Sequence, residues 1–247
     1  MVVSRVYRNR TGKCAVLNSR VSWAKRTIGR GFDLANSSDE MSDEDFQPAK
    51  GGYRGILWVG VAWFALALAV GATQLLARIP VPAPQVVLAG LTVALLAAYA
   101  KSTTVHSWVQ RLPLRALVLF HVTRLVGFYF LYLCSRGELP AAFAVPGGCG
   151  DIAVAVSALV IAGISSDTRA GHRVYLAWNI FGLMDILFVV VNAARLGLAD
   201  PHSMAVLTRL PLSLLPTFLV PLIIAGHIVV FARLRAAPDA AVTPISR

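Results

Sequence analysis

Residues 116–135 read ALVLFHVTRLVGFYFLYLCS, an apolar run whose only charge is Arg124. Residues 174–194 read VYLAWNIFGLMDILFVVVNAA, and their only charge is Asp185. Each run is long enough to cross a membrane as a helix. A charge at bilayer depth costs about 2.5–3.5 kcal/mol, so such residues usually face a protein interior and have a partner there. The two runs therefore predict a membrane protein with a polar interior.

The composition of the whole chain agrees with this prediction. The chain has 247 residues, of which 57% are hydrophobic and 14% are charged, whereas soluble domains have about 25% charged residues. Apolar blocks predict six spans, at about residues 55–77, 84–100, 115–135, 149–166, 174–194 and 211–232. The predicted fold class is an all-α membrane protein, a bundle of six transmembrane helices over residues 55–235.

The flanks of this bundle have a different composition. Residues 1–54 contain ten Lys or Arg and six Asp or Glu without a sustained helical or alternating pattern. We expect them to form a disordered cytoplasmic tail. Met41 opens the stretch MSDEDFQPAK, which resembles a protein start, so translation can begin there. Residues 236–247 are expected to form a short cytoplasmic tail.

The net charge of +11 does not indicate nucleic-acid binding, because the basic residues follow the loops between spans. Alternate loops differ in Lys and Arg content, and the side with more is normally cytoplasmic. One side has nine: Lys50, Arg54, Lys101, Arg111, Arg115, Arg169, Arg173, Arg233 and Arg235. The other side has four: Arg78, Arg136, Arg195 and Arg209. This bias predicts that both termini lie on the cytoplasmic side of the cell membrane, or of the inner membrane in a bacterium.

Arg124 and Asp185 fall near the middle of their spans when depth is counted from the flanking arginines. We therefore expect them to form an ion pair, since the guanidinium fork matches a carboxylate. Arg124 could instead pair with Asp151, at the start of the fourth predicted span. Asp151 could also serve as the N-cap of that span. The pair has two interpretations, a structural contact that fixes helix register and a functional gate, proton site or anion site.

A second polar layer is predicted at one depth on three spans, formed by His121, Asn179 and His227. One hypothesis is that the two histidines are the two imidazole ligands of a haem. A proton relay or plain hydrogen bonding is the alternative. No cysteine and histidine spacing typical of a metal site occurs, so neither a metal nor a required cofactor is predicted.

Several segments depart from regular helix or from plain loop. Residues 139–150 contain two prolines and three glycines, which predicts a poor helix that dips into the membrane or covers its outer face. Pro216 and Pro221 should kink the sixth span. Residues 105–112 show apolar spacing typical of a short interfacial helix. Cys134 and Cys149 are expected on the outer side, as a disulfide or as two free thiols.

These observations leave three classes of function open. The first is a small transporter or permeation protein for a polar solute or protons, in which Arg124 and Asp185 form the switch. The second is a redox membrane protein that uses His121 and His227 as haem ligands. The third is a membrane scaffold or subunit without activity of its own. The sequence has no HExxH, GxSxG or GxxxxGK[ST] motif, which leaves an enzymatic function without support.

Overall fold

The structure is a computed structural model that describes residues 6–8, 14–16 and 50–236. The predictions of a disordered tail over 1–54, of a start at Met41 and of a tail after residue 235 therefore fall almost entirely outside the described residues. In the N-terminal part, Val6–Arg8 (β1) and Cys14–Val16 (β2) form a short antiparallel pair. All helices of the described residues lie between 50 and 236.

Six helices of the described residues are long and apolar enough to cross a membrane, which confirms the predicted fold class. We call the end of this bundle at which the first helix begins the near end, and the opposite end the far end. The helices in chain order are α1 (Lys50–Ala72), α2 (Ala83–Lys101), α3 (Thr103–Arg111), α4 (Leu114–Leu119), α5 (Gly127–Ser135), α6 (Ala141–Ile161), α7 (Arg169–Ala199) and α8 (Val220–Ala236).

Two of the six spans are composite. The third span consists of α4, a 3-10 helix at Phe120–Val126 and α5, and it runs from Leu114 to Ser135. The sixth consists of a π-helix at Leu215–Leu219 followed by α8. Short stretches of 3-10 or π-helix inside a longer helix are often found at hinges and functional sites.

The connections contain short helices. The near-end helix α3 begins where the Ser102 hydroxyl accepts a hydrogen bond from the Val105 N–H, at 3.3 Å. This capping contact satisfies one of the free N–H groups of the first turn. The predicted apolar face of residues 105–112 is half-buried, and most of the opposite face is exposed. At the far end, 3-10 helices at Leu75–Arg78 and Ala205–Thr208 occupy two connections.

The fourth span differs from the sequence prediction. Residues 139–150 do not form an irregular loop, because α6 begins at Ala141 and continues through Pro146. Proline has no N–H to donate to the carbonyl four residues earlier, which here belongs to Ala142. The Asn192 side chain of α7 donates to that carbonyl instead, at 2.9 Å. A neighbouring helix thus supplies the hydrogen bond that the proline removes.

The glycines of α6 are used for close packing. A Cβ atom at Gly127 of α5 would meet the Gly148 carbonyl, so the two backbones touch at this point. Small residues allow such close approach where lipid offers no hydrophobic driving force between helices. Cys134 and Cys149, on these same two helices, are free thiols.

The start of the sixth span repeats the proline arrangement seen in α6. Pro221 cannot donate to the carbonyl of Thr217, four residues earlier. The indole Nε1 of Trp63, on α1, donates to that carbonyl at 3.0 Å. The disturbance predicted near Pro216 and Pro221 takes the form of the π-helix Leu215–Leu219.

Polarity in this bundle is inverted relative to a soluble protein. Large apolar side chains such as Trp58 and Val59 are 68% and 69% exposed. The side chains of His121, Arg124 and His227 are fully buried. Lipid chains can cover the apolar surface, while buried polar groups need partners inside the protein. This arrangement fits a helical bundle that spans a membrane.

Candidate functional site: a buried charge cluster with a cavity above it

The centre of the bundle holds Arg124, whose side chain is completely buried. Its Nε donates to Asp151 Oδ1 of α6 at 2.6 Å, and its Nη1 donates to the Gly182 carbonyl of α7 at 2.9 Å. Its Nη2 donates to Asp185 Oδ2, also of α7. All three nitrogens of the guanidinium therefore have an acceptor. We call Arg124, Asp151 and Asp185 the charge cluster.

The charge cluster is unbalanced. Two carboxylates face one guanidinium, which leaves one excess negative charge when both acids are ionised. The side chains of Arg124, Asp151 and Asp185 are 0%, 4% and 10% exposed. An uncompensated charge away from water costs several kcal/mol. A proton on one carboxyl group, or a bound cation, would remove this excess.

Backbone packing determines where the Asp185 carboxylate lies. A Cβ atom at Gly150 of α6 would overlap that carboxylate. Only glycine leaves the space through which Asp185 reaches Arg124. Asp185 also has the largest exposed fraction of the three side chains. Gly150 was not predicted as a site residue, because nothing in its local sequence indicates that Asp185 of another helix lies against it.

The predicted contact between Arg124 and Asp185 is confirmed. The alternative partner, Asp151, binds Arg124 as well and not in place of Asp185. The suggestion that Asp151 caps its helix is wrong, because α6 begins ten residues earlier with Pro140 as its N-cap residue. Asp151 lies in the middle of the helix, where an unpaired carboxylate would be costly.

The second polar layer also forms, and we call His121, Asn179 and His227 the imidazole layer. The imidazole rings of His121 and His227 stack with centroids 4.0 Å apart. Asn179 Nδ2 donates to the His227 carbonyl at 3.0 Å, and Asn179 Oδ1 lies 2.8 Å from His227 Nδ1. Because the amide oxygen faces His227 Nδ1, that nitrogen must carry the proton. The backbone carbonyl of His227 thus fixes the orientation of the Asn179 amide, and that amide selects one tautomer of the His227 ring.

Three imidazole nitrogens have no hydrogen-bond partner among the described residues. They are Nδ1 and Nε2 of His121 and Nε2 of His227. Gly182 connects this layer to the charge cluster. Its carbonyl accepts from Arg124, and a Cβ atom on it would overlap the His227 ring.

The stacked geometry does not fit a haem held between the two histidines. Two axial imidazoles approach an iron atom from opposite faces of the porphyrin ring. The rings of His121 and His227 are in direct face contact, which leaves no space for a flat macrocycle between them. Trp178 closes one side of the pair, with its ring centroid 5.2 Å from that of His121.

A cavity of about 120 Å³ lies on the far-end side of the charge cluster. It extends from the far-end connections, where it is lined by Leu76, Pro201 and Met204, down to Arg124 and Asp151. Its walls are otherwise nearly all apolar. Asp185 does not line it, so the two carboxyl groups of the cluster have different surroundings.

The fold and this interior define a class of protein, an all-α membrane protein with six spans around a buried cluster of one arginine and two aspartates. The chain belongs to the family described as a domain of unknown function (DUF8737), whose model matches residues 81–235, more than half of the chain. That range contains the charge cluster and the imidazole layer. No curated protein and no solved structure matched the chain.

Proposed function

We propose that this protein is a transport protein that moves a small solute across a membrane together with, or in exchange for, a proton. The charge cluster is the switch. The observation that carries this proposal is that two carboxyl groups share Arg124 at the bottom of a cavity with one excess negative charge. Intramembrane charges of this kind commonly mark ion and proton pathways.

The switch follows from the competition between the two acids. Protonation of Asp151 removes its charge and weakens its bond to Arg124, which then pairs with Asp185 alone. Protonation of Asp185 has the opposite effect. Asp151 lines the cavity and Asp185 does not. Pairing of Arg124 with Asp151 or with Asp185 therefore changes the charge at the cavity floor in different ways. A ligand shifts such an equilibrium only through different affinities for its two states.

The elements around the cluster are suited to rearrangement. Arg124 itself lies on the 3-10 helix Phe120–Val126, within the third span. The π-helix Leu215–Leu219 contributes Leu215 and Pro216 to the cavity wall. Both segments have backbone hydrogen bonding that differs from the α-helices around them, so a change of register there breaks fewer regular α-helical bonds.

The proposal is tested in liposomes that contain the purified protein and an internal pH-sensitive dye. Proton gradients of both directions are imposed in separate experiments, and small cationic, neutral polar and anionic solutes are added outside in turn, so that co-transport and exchange are both detected. We expect at least one class to accelerate the collapse of the gradient. Asp151→Asn and Asp185→Asn should abolish that effect while the protein still inserts and remains monodisperse. A double variant, Arg124→Ala with Asp185→Ala, that kept full activity would refute the switch.

A scaffold role is the main competitor and predicts a different result. A scaffold would show no solute-dependent proton flux with any class of solute, and it would purify with a constant partner. The haem alternative predicts a strong visible absorption band in the purified protein. Neither alternative has support from a contact in the described residues.

The direction of transport depends on how the protein is oriented in the membrane. We propose that both termini are cytoplasmic. The support is the excess of Lys and Arg at the near end, nine against four. The cavity would then extend toward the outer side of the membrane from its floor at Arg124 and Asp151. In a bacterium this membrane would be the inner membrane.

A further inference from the structure

We infer that the cavity above the charge cluster binds a small, mostly apolar, protonated amine, whose ammonium group contacts Asp151. This inference rests on the proposed function, because it names the class of solute for the same site. It concerns the chemistry of the ligand and not the mechanism of transport.

Charge at the floor of the cavity excludes an anion as the favoured ligand. Among the described residues, Arg124 is the only cation that lines it, and three of its five N–H groups already donate to protein acceptors. Adding an anion would raise the excess negative charge of the cluster from one to two. Adding a monovalent cation would reduce that excess to zero.

The free acceptor at the floor belongs to Asp151. Its Oδ1 accepts from Arg124 Nε, whereas its Oδ2 accepts no hydrogen bond from the described residues. Asp151 is buried and lines the cavity, so a group that satisfies Oδ2 has to come from the cavity side or be a proton. An ammonium N–H provides both the missing donor and the missing positive charge.

The walls select the remainder of the ligand. Ile186, Val189 and Ile223 surround the space with aliphatic groups, and Phe130 and Phe143 add two aromatic rings. An inorganic cation and an ammonium group both lose water here and gain the Asp151 carboxylate, but only the amine offsets that cost by burying an apolar body against these walls. The volume of about 120 Å³ is slightly below that of an engineered cavity of about 150 Å³ that accepts benzene. One ring or a short branched chain fits this space.

Binding of such a cation should compete with a proton. The charged or titratable groups around Asp151 are Arg124 of the third span and Asp185 of α7, with His121 and His227 one layer nearer to the near end. If the empty cluster holds one proton to balance its charge, an arriving ammonium displaces it. One proton is then released for each cation bound.

The experiment compares three probes of nearly equal size and different charge: benzylammonium, benzyl alcohol and benzoate. Binding to the protein in lipid nanodiscs is measured by calorimetry in buffers of different ionisation enthalpy, which also counts released protons. We expect benzylammonium to bind at least tenfold more tightly than the other two, with up to one proton released. Asp151→Asn should remove the preference for the cation, and Ala193→Phe, which fills the cavity without altering the cluster, should remove binding.

Each outcome has a stated meaning. Equal binding of all three probes, or preference for benzoate, overturns the inference, and this comparison needs only the unaltered protein. Cation binding that persists in Ala193→Phe also overturns it, because the site must then lie elsewhere. Failure here is distinct from failure of the proposed function. A proton gradient collapsed by another class of solute, with dependence on Asp151, would support transport and reject the amine.

Discussion

At the scale of single residues, Arg124 combines two demands that conflict. A buried guanidinium needs acceptors, and the bundle supplies three, two of them carboxylates. Two carboxylates overcompensate the single positive charge. A purely structural ion pair would need only one acid, because one already balances the charge. The proposed role in transport rests on the second acid, whose excess charge a proton or a bound cation would balance.

Removal of Arg124 alone should therefore reduce the free energy of unfolding more than removal of all the charges of the cluster. Arg124→Ala leaves two buried carboxyl groups without a counter-ion, and we expect a loss of about 3–5 kcal/mol in unfolding free energy. The triple variant Arg124→Met, Asp151→Asn, Asp185→Asn has no charge to compensate and should regain most of that loss, yet remain inactive in proton flux. Unfolding in mixed micelles measures the first effect. A triple variant less stable than Arg124→Ala would contradict this account.

Gly150 provides a test that leaves every polar side chain in place. Gly150→Ala should displace the Asp185 carboxylate from Arg124, because the new methyl group overlaps it. We expect a loss of about 1–3 kcal/mol, as in overpacked cores, together with loss of flux. Gly90→Ala on α2 is the matched control, since nothing lies within 4 Å of its added Cβ atom. That control should be unchanged or up to about 1 kcal/mol more stable.

At the scale of helices, two interior prolines are compensated by side chains from neighbouring helices. Asn192 of α7 donates to the carbonyl that Pro146 leaves free, and Trp63 of α1 donates to the one that Pro221 leaves free. Each contact holds the interrupted part of one helix against a second helix. Phe143 and Val220, which are next to these breaks, line the cavity, so the contacts also restrain its walls.

This compensation can be measured as a coupling between Asn192 and Pro146. Asn192→Ala should cost about 1–2 kcal/mol in unfolding free energy, because it leaves the Ala142 carbonyl without a donor. Pro146→Ala restores the backbone N–H, so Asn192→Ala should cost less in that background, by at least about 0.5 kcal/mol. Equal costs in both backgrounds would show that the side chain does not replace the missing helix bond.

These helices also show where sequence reasoning succeeds and where it fails. The six spans and the contact between Arg124 and Asp185 were predictable, because long apolar runs and isolated charges follow directly from the cost of burial in lipid. The helix over residues 141–150 was not. Its proline and glycines disfavour a helix when considered alone, but Asn192 on another span supplies the missing donor, and the glycines pack against α5. Information on such distant partners is absent from local sequence.

The cavity lies beyond sequence reasoning for a similar reason. Its lining comes from far-end connections and from five of the six spans, α2, the third span, α6, α7 and the sixth span, which are far apart in the chain. Most of these residues are ordinary apolar residues without a distinctive pattern. Only Arg124 and Asp151 were identifiable beforehand as members of a site. The sequence could therefore indicate the floor of the cavity but not the walls or the volume.

At the scale of the whole molecule, the orientation in the membrane decides which side the cavity faces. Apolar side chains cover the outside of the bundle, so lipid imposes no direction on it. The proposed direction rests on the near-end excess of Lys and Arg, nine against four, since positively charged loops resist translocation. We therefore expect a C-terminal fusion of green fluorescent protein to fluoresce in bacteria. A fusion of alkaline phosphatase after Asp200, at the far end, should be active, and the exchanged reporters should be silent. Fluorescence at the far end together with phosphatase activity at the C-terminus would reverse the orientation and turn the cavity toward the cytoplasm.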